Sequence, residues 1–261
     1  MVENAEGAGT VDLQKANIWK RIAAWLLDLM LLSVLAVGCG AILSVALHYD
    51  THNAAMQAGY ARYEEQYDVT FGITAEQYEA KTEGEKEVFE QATEALLSDE
   101  QVIYEYNMVV NLSLIITTIG ILLGVVIMEF AVPLFLKNGQ TVGKKVFGLG
   151  VIRTDSVRIS PIQLFIRAVL GKYTIETMIP VYIFLMLLWG TLDMTGLIVF
   201  VVLVIVQLVC LGITRENAAI HDKLSGTVVV DISSQKIFAS FDEKTEYIKR
   251  IHAERAQHED Y

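Results

Sequence analysis

Two charged residues, Arg21 and Asp28, lie within the first hydrophobic segment of the chain, which covers residues 18–47. A charge inside a membrane span is costly unless it is paired or hydrated, and it often marks an ion or proton pathway. The two residues are seven positions apart, which places them on one helix face about 10.5 Å apart along the axis. Either Asp28 is an ion-binding or proton-accepting carboxylate with Arg21 as its counter-charge or gate, or both residues hold neighbouring helices together by hydrogen bonds.

Two further charges, Glu129 and Arg167, lie inside later apolar segments. If residues 161–172 begin a long tilted span, Arg167 has a depth similar to that of Asp28 and Glu129. Three charges at one depth on three spans would form a candidate ion or proton site. The alternative is a structural network of arginine with carboxylates. If residues 161–172 instead lie flat in the membrane interface, Arg167 and Lys172 would contact lipid head groups.

His221 and Asp222 stand side by side after the last apolar segment. A histidine beside a carboxylate could relay protons, but neighbours in sequence do not face each other on a helix. We therefore expect both residues to anchor the cytoplasmic loop. The sequence leaves the partner of Arg21 open between Asp28, Asp222 and a lipid phosphate.

Hydrophobic residues make up 53% of the 261 residues and form four long apolar runs, which indicates a polytopic membrane protein. We predict an all-α membrane fold: a four-transmembrane-helix bundle with a helical extracytoplasmic insertion and a small cytoplasmic β element. The predicted parts are a cytoplasmic N-terminal tail (1–17), the first span (18–47), the acidic insertion (48–106), the second span (107–136), a basic β-hairpin (137–160), the third and fourth spans with a preceding interfacial helix (161–214), and a cytoplasmic loop, strand and charged tail (215–261).

Charge predicts the orientation of the chain. Basic residues flank the first span and follow the second, whereas residues 48–106 hold 14 acidic and three basic residues. Their net charge of −11 equals that of the whole chain. By the positive-inside rule, both termini and residues 137–160 are cytoplasmic and the acidic insertion is outside. The acidity also argues against nucleic acid as a partner.

The insertion is too long to be a plain connection. Capping boxes at Thr74–Gln77 and Ser98–Gln101 predict two helix starts, hence a helical hairpin whose second arm runs into the second span. The insertion could be a sensor, a cation-attracting vestibule or a cap that binds an extracytoplasmic partner. The alternative is a solvated helical insertion without a partner.

The glycine- and lysine-rich segment after the second span lacks the G-x-x-x-x-G-K-[ST] spacing of a phosphate-binding loop and follows no strand, which excludes nucleotide binding there. We expect a basic turn whose Lys144 and Lys145 contact anionic lipid head groups. A strand over 146–153 and a return strand over 157–160 would follow. The β-branched residues 228–232 could pair with the first of these strands.

Three motifs together resemble the RDD family of bacterial membrane proteins, which is named for one arginine and two aspartates. The motifs are Arg21 with Asp28, Gly139-Gln-Thr-x-Gly-Lys-Lys, and His221-Asp222-Lys-x-x-Gly-Thr-Val-Val-Val. Matched by motif, the arginine and aspartates are Arg21, Asp28 and Asp222. The resemblance covers residues 18–47 and 107–232 and implies a multi-pass plasma-membrane protein. It implies transport only loosely, including the sodium/proton exchange suggested for some members, and it does not inform the long acidic insertion.

The leading functional hypothesis is transport of small cations or protons, with Asp28, Arg21, Glu129 and Arg167 as the site. Four spans are few for a transporter, so we expect a homo-oligomer. The rival is a membrane scaffold or sensor whose acidic outer domain binds a partner. Because the chain has no HExxH, GxSxG or Cys/His nucleophile motif, we expect neither an enzyme nor a cofactor nor a metal site.

Overall fold

The computed structural model describes residues 13–14, 16–188, 190–191, 193–213 and 218–259. Most of the predicted N-terminal tail, together with Lys15 and Arg215, which were expected to flank spans, lies outside the described residues. The helices are α1 (Ile18–Ala46), α2 (Tyr49–Tyr67), α3 (Ala75–Glu79), α4 (Glu83–Ser98), α5 (Glu100–Phe135), α6 (Val142–Val146), α7 (Pro161–Leu188), α8 (Met194–Ile213), α9 (Ile220–Ser225) and α10 (Phe241–Glu259). The strands among these residues are β1 (Leu149–Arg153) and β2 (Thr227–Asp231).

Three helices among the described residues, α1, α5 and α7, are long and apolar enough to cross a membrane. They contain 29, 36 and 28 residues, against the roughly 20 that a span requires. The prediction of an all-helical, membrane-type fold is confirmed. The fourth expected span is α8, whose apolar stretch Met194–Cys210 is shorter than the other three. The count of four spans and the extracytoplasmic position of the insertion therefore stay predictions.

Residues 37–120 form one of two compact units, and α2, α3 and α4 lie in it. The predicted capping box of Thr74 with Gln77 begins α3. The one predicted at Ser98 is wrong: Asp99 caps α5 instead, because its Oδ1 accepts the backbone N–H groups of Gln101 and Val102 at 2.9 and 3.2 Å. The insertion thus contains three helices of its own before α5, rather than a simple hairpin.

The second unit comprises the described parts of residues 1–36 and 121–261. Strands β1 and β2 pair antiparallel there, with Leu149 opposite Asp231 and Arg153 opposite Thr227. This is the pairing that the β-branched residues 228–232 suggested. The predicted return strand over 157–160 is reduced to two isolated bridges, from Arg158 to Ile152 and from Val157 to Phe238. Buried Leu149, Val151 and Val229 of the sheet form one apolar core with Ala16 and Ala24.

Two of the apolar helices contain π-helical segments, at Val126–Ala131 in α5 and at Ile166–Met178 in α7. The π conformation is rare in proteins, and the π segments that do occur are often found at functional sites. The first segment carries Glu129, and the second carries Arg167. Glu129 and Arg167 therefore lie where the helical winding is wider than usual.

Candidate functional site

Charged side chains of α1, α5 and α7 meet the short helices α6 and α9 within the second unit. Their contacts define two neighbouring groups. The Asp28 cluster consists of Asp28, Thr141, Lys144, Glu129 and Lys172. The Asp222 cluster consists of Asp222, Arg21, Arg167, His221 and Glu176.

Asp28 is buried on α1 and caps the start of α6. Its Oδ1 accepts the backbone N–H of Gly143 at 2.7 Å, and its Oδ2 accepts the hydroxyl of Thr141 at 2.5 Å. The Nζ of Lys144 lies 3.6 Å from the same Oδ2. A carboxylate at a helix N-terminus satisfies amide groups that otherwise have no partner. Both Asp28 oxygens are therefore held by the segment that follows the second apolar helix.

Gly143 is required by the close approach of α6 to α1. A Cβ atom at this position would lie 2.3 Å from the carbonyl oxygen of Ala24 and 2.9 Å from Cγ of Asp28. Thr141 completes the junction, because its hydroxyl donates to Asp28 and accepts the backbone N–H of Lys144 at 3.3 Å. The glycine- and lysine-rich motif thus folds as a helix start that binds an aspartate of the first apolar helix.

Lys144 is buried rather than directed towards a membrane surface. Its Nζ lies 3.1 Å from the hydroxyl of Thr141 and 4.0 Å from Oε2 of Glu129. Burial lowers the pKa of Lys144 to about 8, although the charge of Glu129 opposes this shift. The prediction that Lys144 contacts lipid head groups is wrong, because the carboxylates beneath the motif hold it inside. The same prediction stands for Lys145, which is exposed.

Glu129 has one oxygen with a hydrogen-bond partner and one without. Its Oε1 accepts from the Nζ of Lys172 on α7. Its Oε2 is buried and has no hydrogen-bond partner among the described residues, with the ammonium of Lys144 at 4.0 Å. An unsatisfied buried acceptor costs about 1–3 kcal/mol, and more when the group is charged. The structure therefore holds an incompletely satisfied carboxylate between two lysines.

The second cluster centres on Asp222, which is completely buried on α9. Arg167 donates from Nε at 3.0 Å to Oδ1 of Asp222, and Nη2 lies 2.9 Å from the same oxygen. Arg21 lies on the other side, with Nη2 3.6 Å from Oδ2. Burial alone would raise the pKa of Asp222, but the two guanidinium groups outweigh burial and hold the pKa well below its usual range.

His221 links the second cluster to Glu176 on α7. The guanidinium group of Arg167 can only donate, so Nε2 of His221, at 2.9 Å from Nη2, must accept. The ring proton is thereby assigned to Nδ1, which donates to Oε2 of Glu176 at 2.7 Å. Burial lowers the pKa of His221, which agrees with a neutral ring. The Cα of His221 also packs against Gly171, where a Cβ would lie at 2.7 Å.

The π segment of α7 explains how Arg167, Lys172 and Glu176 reach the same region. In an α-helix of 3.6 residues per turn, positions 167 and 176 lie about 180° apart. The i→i+5 hydrogen bonds of a π-helix widen the turn to about 4.4 residues, so nine positions complete about two turns. The π winding thus brings both residues to one face of α7.

These contacts join four carboxylates and four cations, so the charges of the two clusters balance when His221 is neutral. The carboxylates are Asp28, Glu129, Glu176 and Asp222, and the cations are Arg21, Lys144, Arg167 and Lys172. The charges of Arg167 and Lys172 also act on Lys144, which shows that the two clusters are electrostatically connected. Binding an additional cation here would create net positive charge unless a proton left at the same time.

The structure places every predicted site residue in the second unit but pairs them differently. Both oxygens of Asp28 are occupied by residues 141–144, whereas Arg21 meets Asp222, one of the partners left open by the sequence. The interpretation of residues 161–172 as an interfacial helix is wrong, because they begin the continuous helix α7 with Arg167 buried. Asp222 and His221 bind α9 to α7 through Arg167 and Glu176, and their role as anchors of a cytoplasmic loop stays a prediction.

Sequence reasoning missed four residues of the site: Thr141, Gly143, Lys172 as a partner of Glu129, and Glu176 as a partner of His221. Thr141 could have been found, since a threonine just before a short helix is a typical N-cap. The roles of Lys172 and Glu176 depend on the π winding, which no local pattern indicated.

Comparison with protein families identifies the chain. A model described as the RDD family matches residues 15–226, which is most of the 261 residues. The chain therefore belongs to the RDD family of bacterial membrane proteins. No curated protein and no solved structure matches it.

Proposed function

We propose that this RDD family protein exchanges protons for a small monovalent cation across a bacterial plasma membrane, with Glu129 and Lys144 as the exchange site. The observation that carries the proposal is the buried Oε2 of Glu129, which has no hydrogen-bond partner among the described residues and lies 4.0 Å from Nζ of Lys144. Ionisable residues inside apolar helices often mark ion pathways. An unsatisfied carboxylate oxygen is also a ligand position for a hard cation.

The charge balance of the site suggests how exchange would proceed. When Lys144 is protonated, the ammonium groups of Lys144 and Lys172 balance the carboxylates of Asp28 and Glu129, so the cluster has no net charge that would attract a metal cation. When Lys144 releases its proton, Lys172 is the one cation left beside Asp28 and Glu129 in the Asp28 cluster. The cluster then carries one uncompensated negative charge, which attracts one monovalent cation. One proton leaves for each cation that binds, so the net charge of the clusters is unchanged. The lowered pKa of Lys144, about 8, makes this release accessible near neutral pH.

Asp28 is a weaker candidate for the ion-binding carboxylate than the sequence suggested. Its two oxygens already accept the Gly143 amide and the Thr141 hydroxyl, so a bound cation would have to displace both donors. We propose that Asp28 and Asp222 fix the loops that enclose the site, while Arg21 and Arg167 compensate Asp222. The proposal includes no enzymatic activity.

Membrane orientation and assembly are part of the proposal. We place both termini and residues 137–160 in the cytoplasm and residues 48–106 outside, with four spans. The basic flanks of α1 and α5 and the net charge of −11 on residues 48–106 support this arrangement. Because four spans are few to enclose a pathway, we propose a homo-oligomer embedded among anionic lipids.

Orientation can be tested with single cysteines at two exposed serines, Ser98 and Ser234, after Cys39 and Cys210 are replaced by serine. A membrane-impermeant thiol reagent applied to spheroplasts should label the Ser98→Cys variant. It should label the Ser234→Cys variant only after lysis, and labelling of both from outside would contradict the topology.

Transport can be tested in proteoliposomes that contain a pH-sensitive dye, with a sodium or potassium gradient imposed. We expect proton flux in the unmodified protein and its loss in Glu129→Gln and Lys144→Gln. Lys145→Gln is the matched control, because it removes the same charge from the exposed neighbouring position. All variants must first elute as folded protein. Absence of flux in the unmodified protein with every cation tested, or equal flux in the two lysine variants, would contradict the proposal.

A second candidate function is a scaffold or sensor that binds a partner through the unit formed by residues 37–120, which contains the acidic insertion. A cavity of about 470 Å³ in that unit is lined by Tyr78, Phe89 and Leu97, with Glu90 and Glu94 beside them. Apolar walls with acidic neighbours suit a cationic, amphipathic protein segment. The Glu90→Gln/Glu94→Gln variant separates the two functions: a scaffold should lose its partner in cross-linked cells, whereas transport in proteoliposomes should be unchanged.

A further inference from the structure

A second cavity lies within the second unit, between the end of α5 and the start of α7, and we name it the α5–α7 cavity. Its volume is about 250 Å³, and most of the residues that line it are apolar, with Asn138 and Arg158 as the polar ones. The apolar lining residues are Pro133, Leu134, Leu136, Ile159, Pro161 and Leu164. Pockets that enclose a whole drug-sized ligand measure about 300–1,000 Å³. The α5–α7 cavity is smaller, so it would hold only part of a long, flexible ligand such as a lipid.

One cation stands among these apolar side chains. Arg158 is the only charged residue among the described residues that line the cavity, and its side chain is exposed. Its backbone N–H donates to the carbonyl of Phe238, which fixes the position of the residue. Its guanidinium group forms no ion pair within the described part of the chain. A planar guanidinium group presents paired donors that match the oxygens of a phosphate.

The surroundings of the cavity are also apolar and open. Phe135 at the end of α5 is 86% exposed and Ile162 at the start of α7 is 73% exposed. Phe130 and Phe165 pack edge to face at 5.9 Å and join the two helices beside the cavity. Exposed apolar residues at the ends of two apolar helices are expected to contact lipid rather than water.

We propose that the α5–α7 cavity binds one anionic phospholipid, with its phosphate on Arg158 and the upper part of an acyl chain against the apolar walls. Basic pockets between membrane helices on the cytoplasmic side are a known way to bind such head groups. The lipid contact that was expected at Lys144 is therefore assigned to Arg158, because the fold buries Lys144 and leaves Arg158 exposed. The inference does not depend on transport.

The test uses the purified full-length protein, exchanged into mixed micelles with equal amounts of phosphatidylglycerol and phosphatidylcholine. Phospholipid retained per chain is then counted by mass spectrometry. We expect about one retained phosphatidylglycerol per chain, and a roughly fivefold smaller preference for it in Arg158→Gln. Arg153→Gln is the matched control: it changes the net charge equally, but Arg153 already pairs with Asp155 at 2.7 Å. Equal behaviour of the two arginine variants would overturn the proposal.

A second measurement on the unmodified protein separates a phospholipid from a simple anion. Long-chain phosphatidylglycerol should bind more tightly than its short-chain form, and inorganic phosphate at constant ionic strength should not displace it. The Leu164→Trp variant fills the cavity, and it should therefore retain phosphatidylglycerol of neither chain length. Displacement by phosphate, equal binding of the two chain lengths, or unchanged retention in a folded Leu164→Trp variant would each overturn the proposal.

Discussion

Gly143→Ala provides a direct test of the contact between α6 and α1. The added Cβ would lie 2.3 Å from the carbonyl oxygen of Ala24, whereas favourable non-bonded contacts of a carbon atom have separations of about 3.5 Å or more. Helix α6 must therefore withdraw by about 1 Å. The distance from the residue 143 amide to Oδ1 of Asp28, now 2.7 Å, would then exceed the hydrogen-bond limit of about 3.2 Å.

The expected loss follows from these two contacts. Hydrogen bonds to a charged group contribute about 1.5–3 kcal/mol each, and withdrawal weakens those from the Gly143 amide and the Thr141 hydroxyl together. We expect the free energy of unfolding to fall by about 3–5 kcal/mol. For a chain of this size, 1 kcal/mol corresponds to roughly 2–4 °C in melting temperature. The expected decrease is therefore on the order of 10 °C.

The assay is thermal unfolding in mild detergent, followed by the fraction that elutes as folded protein after heating at one fixed rate. Gly38→Ala is the matched control, because no heavy atom lies within 4 Å of its added Cβ. Alanine within a helix there should stabilise slightly, by about 0.5–1 kcal/mol.

A double variant isolates the contact itself. Asp28→Ala alone removes the acceptor of both hydrogen bonds, so adding Gly143→Ala should cost much less than it does in the unmodified chain. Fully additive effects would refute the reasoning, and so would a Gly143→Ala variant that melts like Gly38→Ala.

Three further predictions concern the charge clusters. Asp222→Asn leaves the buried Arg167 and the partly buried Arg21 without their carboxylate, so the free energy of unfolding should fall by about 3–5 kcal/mol. Asp50→Asn at an exposed helix start should change it by less than about 1 kcal/mol, and equal melting temperatures of the two variants would contradict this prediction. Glu129→Gln and Lys172→Met should each destabilise, and the double variant should be more stable than the sum of the two predicts; additivity in melting experiments would argue against the pair. Because the pKa of Lys144 is lowered to about 8 in the folded chain, the unfolded chain binds more protons above that pH, so stability should rise from pH of about 8 to about 10; Lys144→Met should remove this rise relative to Lys145→Met.

Local chemistry predicted the elements of the fold well. The long apolar runs predicted the helices that α1, α5 and α7 form, and the Thr74–Gln77 capping box predicted the start of α3. The pairing of residues 228–232 with the first strand followed from their β-branched composition and is observed as β1 with β2. These signals are available from sequence because each depends on neighbours along the chain.

The pairing of charges could not be predicted in the same way. Arg167 and Glu176 would face opposite sides of an α-helix, and only the π winding of Ile166–Met178 brings them to one region. Lys144 was expected at a membrane surface because it lies in a basic turn that follows the second apolar run, yet the Asp28 and Glu129 carboxylates hold it inside. Such choices depend on which carboxylates lie beneath a loop, and a sequence does not contain that information locally.

The arginine and two aspartates that the family name emphasises do not form a single triad here. Asp28 binds the start of α6, and Asp222 binds Arg167 and Arg21, so each aspartate holds one loop against the apolar helices. Because both carboxylates are fully engaged, neither can change partners without releasing its loop. A carboxylate that binds and releases a cation needs an oxygen atom without a hydrogen-bond partner. Among Asp28, Asp222 and Glu129, Oε2 of Glu129 meets that condition within the described residues. The two aspartates are therefore better suited to shape the site than to serve as the carboxylate that binds and releases a cation.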